Sequence, residues 1–328
     1  KVMYFIWTTV WTNYLFLYSL ILFLKAAGSL VWYTLLMLFI LSYSVYKLLP
    51  FIFSCFNTKF HWLDTLNYSL LFCSTFFFLS FNKGESWFWI MCSVEYVFSI
   101  AILLLGISFI LNGWGNIFSY LAIAILFTYM GGCVLPIVLT TYAGFFVYYF
   151  YVFIKKHCRI KHLLQNLTAK KTSLAFIFFS ISSLIMMLGP GKTHRMALLP
   201  SPTLSTGSIM AAKSIGKIVL FDVPHILPFF ILFCIPWFYL GNKLRSSNIV
   251  LVKKEGLKKI FFVSSLSFFI LLFLTIFPAT YILSDTAPYR VWSSVYFGIT
   301  IICSGWGFIL GNSFKLKEAA VNILFIST

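Results

Sequence analysis

Apolar residues run along this chain in long blocks of about 17–25 positions, separated by short polar stretches. A block of that length matches an α-helix crossing the hydrocarbon core of a bilayer. Barrel strands would alternate polar and apolar residues over about ten positions, and these blocks do not. A helix also satisfies its own backbone N–H and C=O groups where no water is available. The pattern predicts an all-α, polytopic membrane bundle of about ten transmembrane helices. They fall roughly at 4–24, 29–54, 67–82, 90–111, 117–131, 137–154, 173–189, 224–242, 260–278 and 291–312. Between the fifth and sixth, "YMGGCVLP" is either a loop or a break within one membrane element, because Gly and Pro interrupt helices. The second block exceeds what a bilayer requires, so it tilts or projects.

Charge orients the bundle. "KKHCRIKHLLQNLTAKK", Lys155 to Lys171, carries six basic residues, and "KLRSSNIVLVKKEGLKK", Lys243 to Lys259, carries six more. Lys315 and Lys317 follow the last block. With these three on the cytoplasmic side, both termini are cytoplasmic and the remaining loops face outward. The longest of those is 190–223. Within it Ala211, Ile215, Ile218 and Val219 recur at helical spacing, with Lys213 and Lys217 opposite, which predicts a short interfacial helix in an extracytoplasmic loop. Gly216 in its middle argues against it. No internal repeat is evident, and 1–328 forms a single transmembrane domain; the chain starts at Lys1 rather than Met, so its N-terminus is expected to be incomplete.

Composition agrees: 61% of residues are hydrophobic and 9% charged. The net charge of +17 would otherwise point to nucleic acid, but the basic residues cluster in short loops, which the inside bias explains without such a partner. The cysteines, among them Cys55, Cys73, Cys92, Cys133, Cys234 and Cys303, have no metal-like spacing and read as small apolar packers, so neither a metal nor a cofactor is expected.

Three outward segments carry chemistry. "GPGKTHRMALLP" brings Lys192, His194 and Arg195 together behind an apolar block. A nucleotide loop of G-x-x-x-x-G-K-[ST] form needs a glycine where Met186 stands, and the preceding segment is not a strand. Two readings remain: a cationic anchor at a helix end, or a phosphate contact through the planar fork of Arg195. "NKGESWFWIMCSVEYVF" offers Glu85 beside Trp87 and Trp89, and Glu95 farther along. Glu85 is a catalytic base, a substrate ligand or a solvated loop acid; Glu95 is a buried link between helices or a functional group. Tryptophans in such a position are ordinary residues of the membrane belt. "FPATYILSDTAPYRVW" has Asp285 and Arg290 in one short loop, either an ion pair closing it or a second anion contact. Asp222 and His225 lie at the start of a span and carry little weight by themselves. There is no G-x-S-x-G elbow or H-E-x-x-H pair.

The phrases "GESWFWIMCSVEYVFS", "LGPGKTHRM" and "FPATYILSDTAPYRVW" together resemble motifs of an uncharacterised family of polytopic bacterial membrane proteins that looks like the C-type (GT-C) glycosyltransferases. Matched residue by residue they pick out Glu85, Trp89 and Tyr96, then Pro190, Gly191 and Arg195, then Pro278, Pro288 and Arg290. The resemblance covers about Asn82 to Trp292. It implies a multi-pass enzyme of a bacterial inner (cytoplasmic) membrane with an extracytoplasmic site. Its partners would be the bilayer, a polyprenyl-phosphate sugar donor and a glycan or lipid acceptor of the cell envelope. Glu85 or Asp285 would be catalytic; Arg195 and Arg290, with Lys192, His194, Trp89 and Tyr96, would bind substrate. The chain departs from GT-C enzymes in one respect: its first outward loop, "KAAG", has no acid. That keeps two other classes open, a non-enzymatic subunit of an envelope assembly or transport complex and a flippase for a lipid-linked glycan.

Overall fold

The structure, a computed structural model, describes residues 12, 31–54, 61–80, 83–88, 90–156, 166–189, 203–246, 254–283, 285–288 and 291–314. Among them every regular element is helical. In chain order these are α1 (Val31–Ser54), α2 (Trp62–Leu79), α3 (Ile90–Ser93), α4 (Ser99–Leu111), α5 (Ile117–Gly131), α6 (Leu135–Lys156), α7 (Leu167–Met187), α8 (Leu204–Lys217), α9 (Val223–Ser246), α10 (Lys254–Leu283) and α11 (Trp292–Ser313). Three wider π-helical turns interrupt them, at Gly84–Phe88, Val94–Phe98 and Ile218–Asp222. Side-chain caps start several helices: Asn116 Oδ1 accepts from Ser119 N (3.0 Å), Asn166 Oδ1 from Thr168 N (2.9 Å) and Thr203 Oγ1 from Thr206 N (3.1 Å).

The distribution of side chains is that of a membrane protein. Large apolar residues face outward, as Phe262, Leu266, Phe269 and Phe273 do along α10, while small polar ones are buried. In water such an outer surface would be unfavourable; against lipid tails it is the natural one. The buried hydroxyls bond back to their own helices: Ser44 to Ile40 O (2.7 Å), Thr75 to Leu71 O (2.8 Å), Thr275 to Leu271 O (2.8 Å) and Thr300 to Tyr296 O (2.9 Å). Among the described residues seven helical runs are long and apolar enough to cross a membrane. α2 is not one of them, and α5, at 15 residues, is shorter. The chain is thus a polytopic helical bundle. Gly132 to Val134 form a short turn, so "YMGGCVLP" divides two helices. Residues of the long loop expected to be helical form α8, which continues through the Ile218–Asp222 turn into α9 as one run from Leu204 to Arg245. The first expected block, 4–24, lies outside the described residues apart from Thr12.

Two helix pairs hold the bundle by backbone proximity. α9 and α11 run parallel, and a Cβ on Gly241 would collide with the backbone of Phe308 and Asn312; one on Gly311 would collide with that of Phe238. Polar groups complete the seam: Asn242 Nδ2 donates to Phe314 O (2.6 Å), Asn312 Nδ2 to Gly241 O (3.2 Å) and Arg245 Nη1 to Asn312 O (3.0 Å). α5 and α7 meet at Gly131, and Ser182 Oγ donates to Thr128 O (2.6 Å). Lys171, fully buried on α7, caps the end of α4 by donating to Phe109 O (2.9 Å) and Asn112 O (2.7 Å). An ammonium there answers carbonyls that the last helical turn leaves unpaired.

Gly311→Val is expected to cost about 1–3 kcal/mol or more through the displaced backbone of α9, seen as a lower melting temperature in detergent and loss of monodisperse protein. Gly144→Ala, where nothing lies within 4 Å of the new methyl, is expected to melt at or slightly above the wild-type temperature. Lys171→Ala is expected to cost about 1–3 kcal/mol in the same melt, because two partly buried carbonyls lose their donor.

Candidate functional site

The segment after α2 begins where Ser80 ends that helix, its N–H and hydroxyl both bonded to Phe76 O (3.1 and 2.8 Å). The chain then enters the Gly84–Phe88 turn, which carries Glu85 and Trp87. Trp87 is not a belt residue at the lipid surface. It is fully buried, with ring centroids 5.2 Å from Phe76 and 5.3 Å from Phe77, and its Nε1 donates to Ser80 Oγ (3.2 Å). Lys83 Nζ stands 5.8 Å from the Phe77 ring, a cation–π contact.

The Val94–Phe98 turn widens the following helix and directs polar residues inward. The Tyr33 hydroxyl bonds Ser93 Oγ, tying α1 to α3. Ser99 Oγ lies 3.3 Å from Cys133 Sγ, Cys133 Sγ donates to Tyr129 O (3.2 Å) and Thr12 Oγ1 donates to the same carbonyl (2.8 Å). The Tyr129 hydroxyl interacts with Ser99 and Cys133 as well. Glu95, half-buried, is within electrostatic reach of Cys133, so this acid borders an interior polar network rather than a purely apolar core. Tyr96, in the same turn, is buried in the hydrophobic core.

A second polar cluster forms where α8 crosses the end of α10. Gly207 has no side chain, and Tyr281 occupies the space a Cβ would need. Thr280 Oγ1 donates to Gly207 O (3.2 Å), and Ser214 Oγ accepts from Ala287 N (3.0 Å), fixing the loop between α10 and α11. Trp292 Nε1 closes that loop by donating to Ala287 O (3.2 Å). Asp285 lies exposed in it, with Oδ1 accepting from Thr286 N (2.6 Å).

Asp222 differs from Asp285 in every respect. It is 2% exposed and its Oδ2 has no hydrogen-bond partner. Its turn precedes Pro224, which has no N–H to donate to the preceding turn and forces the helix wider. His225 Nδ1 meets Phe221 O at 2.6 Å there, and among the described residues Lys217 and His225 act electrostatically on Asp222. Ser293 and Ser294, in the first turn of α11, are also buried with unpartnered hydroxyls.

The two clusters lie at one end of the bundle and share a neighbour. Phe76 touches Trp87 on one side and Phe297 of α11 on the other, the latter at 5.5 Å between centroids. α11 also packs directly on the Val94–Phe98 turn. The segment carrying Glu85 is therefore linked through Phe76 to α11, the helix that follows the Asp285 loop, and α8, which follows the Arg195 segment, fastens that same loop. Glu85 belongs to this end by its backbone, but its side chain lies outside the described residues, as do Trp89, Lys192, His194, Arg195 and Arg290. Among the described residues no group of three His, Cys, Asp or Glu is arranged to hold a metal ion. The sequence underrated Asp222, for which an acid two positions before a proline was the available signal, and gave no hint of Ser214, Ser293 or Ser294. No family model, curated protein or solved structure matches the chain.

Ser214→Ala removes the acceptor of a buried N–H. Amide exchange at Ala287, followed by mass spectrometry in nanodiscs, is expected to quicken by about tenfold or more while exchange in α4 and α5 stays unchanged.

Proposed function

We propose that the protein is a GT-C-like glycosyltransferase that transfers a sugar from a polyprenyl-phosphate donor to a cell-envelope glycan or lipid. In this reading the bundle has ten spans, lies in a bacterial inner membrane with both termini cytoplasmic, and works on the extracytoplasmic side. One observation carries it: the three segments that bear the motif residues have their described neighbours at the same end of the bundle. Trp87 and Phe297 share Phe76, and Ser214 of α8 holds Ala287 of the loop that leads to Arg290.

The chemistry asks for two things at that end. Cations must stabilise the phosphate that leaves with the lipid, a role suited to the guanidinium groups of Arg195 and Arg290. A carboxylate must take the proton of the acceptor hydroxyl; Glu85 and Asp285 are the acids that the motif resemblance offers. The apolar outer surface of the bundle would let the donor's polyprenyl tail remain in the bilayer while its phosphate enters from the side.

The test uses protein in nanodiscs, citronellyl phosphate as a short lipid-phosphate probe, and radiolabelled undecaprenyl-phosphate hexoses as donors. Micromolar binding of citronellyl phosphate, weakened about tenfold or more by Arg195→Ala or Arg290→Ala in folded protein, is expected together with hexose transfer. Binding that neither substitution affects, or stable co-purification with other membrane proteins and no transfer, would overturn the reading in favour of a non-enzymatic subunit.

A further inference from the structure

The carboxylate that the proposed transfer needs does not have to come from the motifs. Asp285 is exposed and already accepts a hydrogen bond from Thr286 N at 2.6 Å. Asp222 is buried, and one of its oxygens meets no donor. An unbonded carboxylate oxygen shut off from water is costly unless something else occupies the position.

Its surroundings indicate what that is. α8 and α9 form one helical run, which packs on α10 before the Ile218–Asp222 turn and on α11 after it. Hydrogen bonds on both sides of the turn join residues 73 positions apart: Ala287 N to Ser214 Oγ and Cys303 Sγ to Phe230 O. Extended upward, that parallel register carries Asp222 toward the level of the first turn of α11, where the Ser293 and Ser294 hydroxyls are likewise buried without partners. Val291, the residue before α11, supplies no side-chain cap to that turn. One acceptor and two hydroxyls, all unsatisfied and brought to one level of the same helix pair, make a set suited to a polyhydroxylated ligand. Each hydroxyl of a sugar can donate and accept at once.

We propose that Asp222, with Ser293 and Ser294, forms the sugar-acceptor subsite, and that Asp222 is the general base of the transfer. This rests on the glycosyltransferase reading and replaces Glu85 and Asp285 in the proton-abstracting role. In the step, the acceptor O–H gives its proton to Asp222 Oδ2 and its oxygen forms a bond to the anomeric carbon of the donor. The bond from that carbon to the phosphate oxygen breaks, and its electron pair leaves with the polyprenyl phosphate. The Ser293 and Ser294 hydroxyls hold neighbouring sugar hydroxyls so that the attacking oxygen is aligned.

The experiment compares wild type with Asp222→Asn and Asp222→Glu in nanodiscs, with undecaprenyl-phosphate hexoses as donors and submicellar octyl glycosides as acceptors. Asp222→Asn is expected to lower kcat by about 100-fold or more, with citronellyl phosphate binding and the melting temperature near wild type; Asp222→Glu is expected to restore part of the rate. An Asp222→Asn protein that transfers at the wild-type rate overturns the assignment while the glycosyltransferase reading stands. A wild-type protein that transfers no hexose overturns that reading and the assignment with it. If Asp222→Asn does not fold, wild-type protein supplies the readout through dicyclohexylcarbodiimide, which attacks carboxyl groups in apolar surroundings. Modification of Asp222 that octyl glycosides suppress supports the subsite; modification they leave unchanged, or none, overturns it.

Discussion

The close approach of α9 to α11 is the constraint from which the rest of the site end follows. Lipid tails are as apolar as leucine, so helices gain little from burying apolar side chains against each other and rely on tight van der Waals contact and on polar links between helices. Gly241, Gly307 and Gly311 let the two backbones touch, and the amide side chains of Asn242 and Asn312 lock the sliding coordinate by bonding carbonyls of the opposite helix. Once that parallel register is set, the position of everything attached to the two N-terminal ends is set too. α8 is carried over α10, and Ser214 arrives at Ala287. Lys171 does comparable work at the other end of the bundle, where it holds α7 to the terminal carbonyls of α4.

Widened turns then decide which residues face the interior. Each of the three lies at the same end of the bundle, and two of them carry an acid of described surroundings, Glu95, half-buried, and Asp222, buried. An ordinary helix spends its periodicity evenly, so an acid flanked by apolar residues on both sides tends to rotate toward headgroups or water. A π turn adds a residue and breaks that phase, which lets a polar side chain point inward without turning its apolar neighbours away from lipid. For Asp222 the cause can be named, because Pro224 removes a donor from the preceding turn. For Val94–Phe98 no proline is present, and the turn instead accompanies the interhelical bonds of Ser93 and Ser99.

How much of this was legible beforehand follows from what sequence periodicity can encode. Helix limits were readable because they depend on local composition: the block expected at 90–111 ends at Leu111, and the one expected at 117–131 forms Ile117–Gly131. Membrane character was readable for the same reason. Helix partners were not, although "GFILG", Gly307 to Gly311, is a small-x-x-x-small pattern that marks close helix packing. Trp87 shows the limit most plainly. Its neighbours in sequence make it a belt residue, and only the long-range placement of Phe76 and Phe77 makes it a core residue bonded to Ser80. Among the candidate residues, Tyr96, inside the block expected at 90–111, is in the core and Asp285, in a loop between blocks, is exposed, as local composition alone implies.

The charge inventory sharpens the meaning of Asp222. The chain has 24 basic residues against 7 acidic ones, so counter-charges are plentiful, and a stabilising partner for a buried acid would have been easy to supply. Elsewhere the fold does satisfy its charges: buried Lys171 has two carbonyl acceptors, and half-buried Arg245 bonds Asn312 O. Asp222 is surrounded instead by a neighbouring Lys217 and His225 that exert a field without bonding its free oxygen. A structural ion pair closes on itself and leaves nothing over. A carboxylate near the Lys217 ammonium yet unbonded at one oxygen has the properties required of a group that must exchange a proton with something outside the protein.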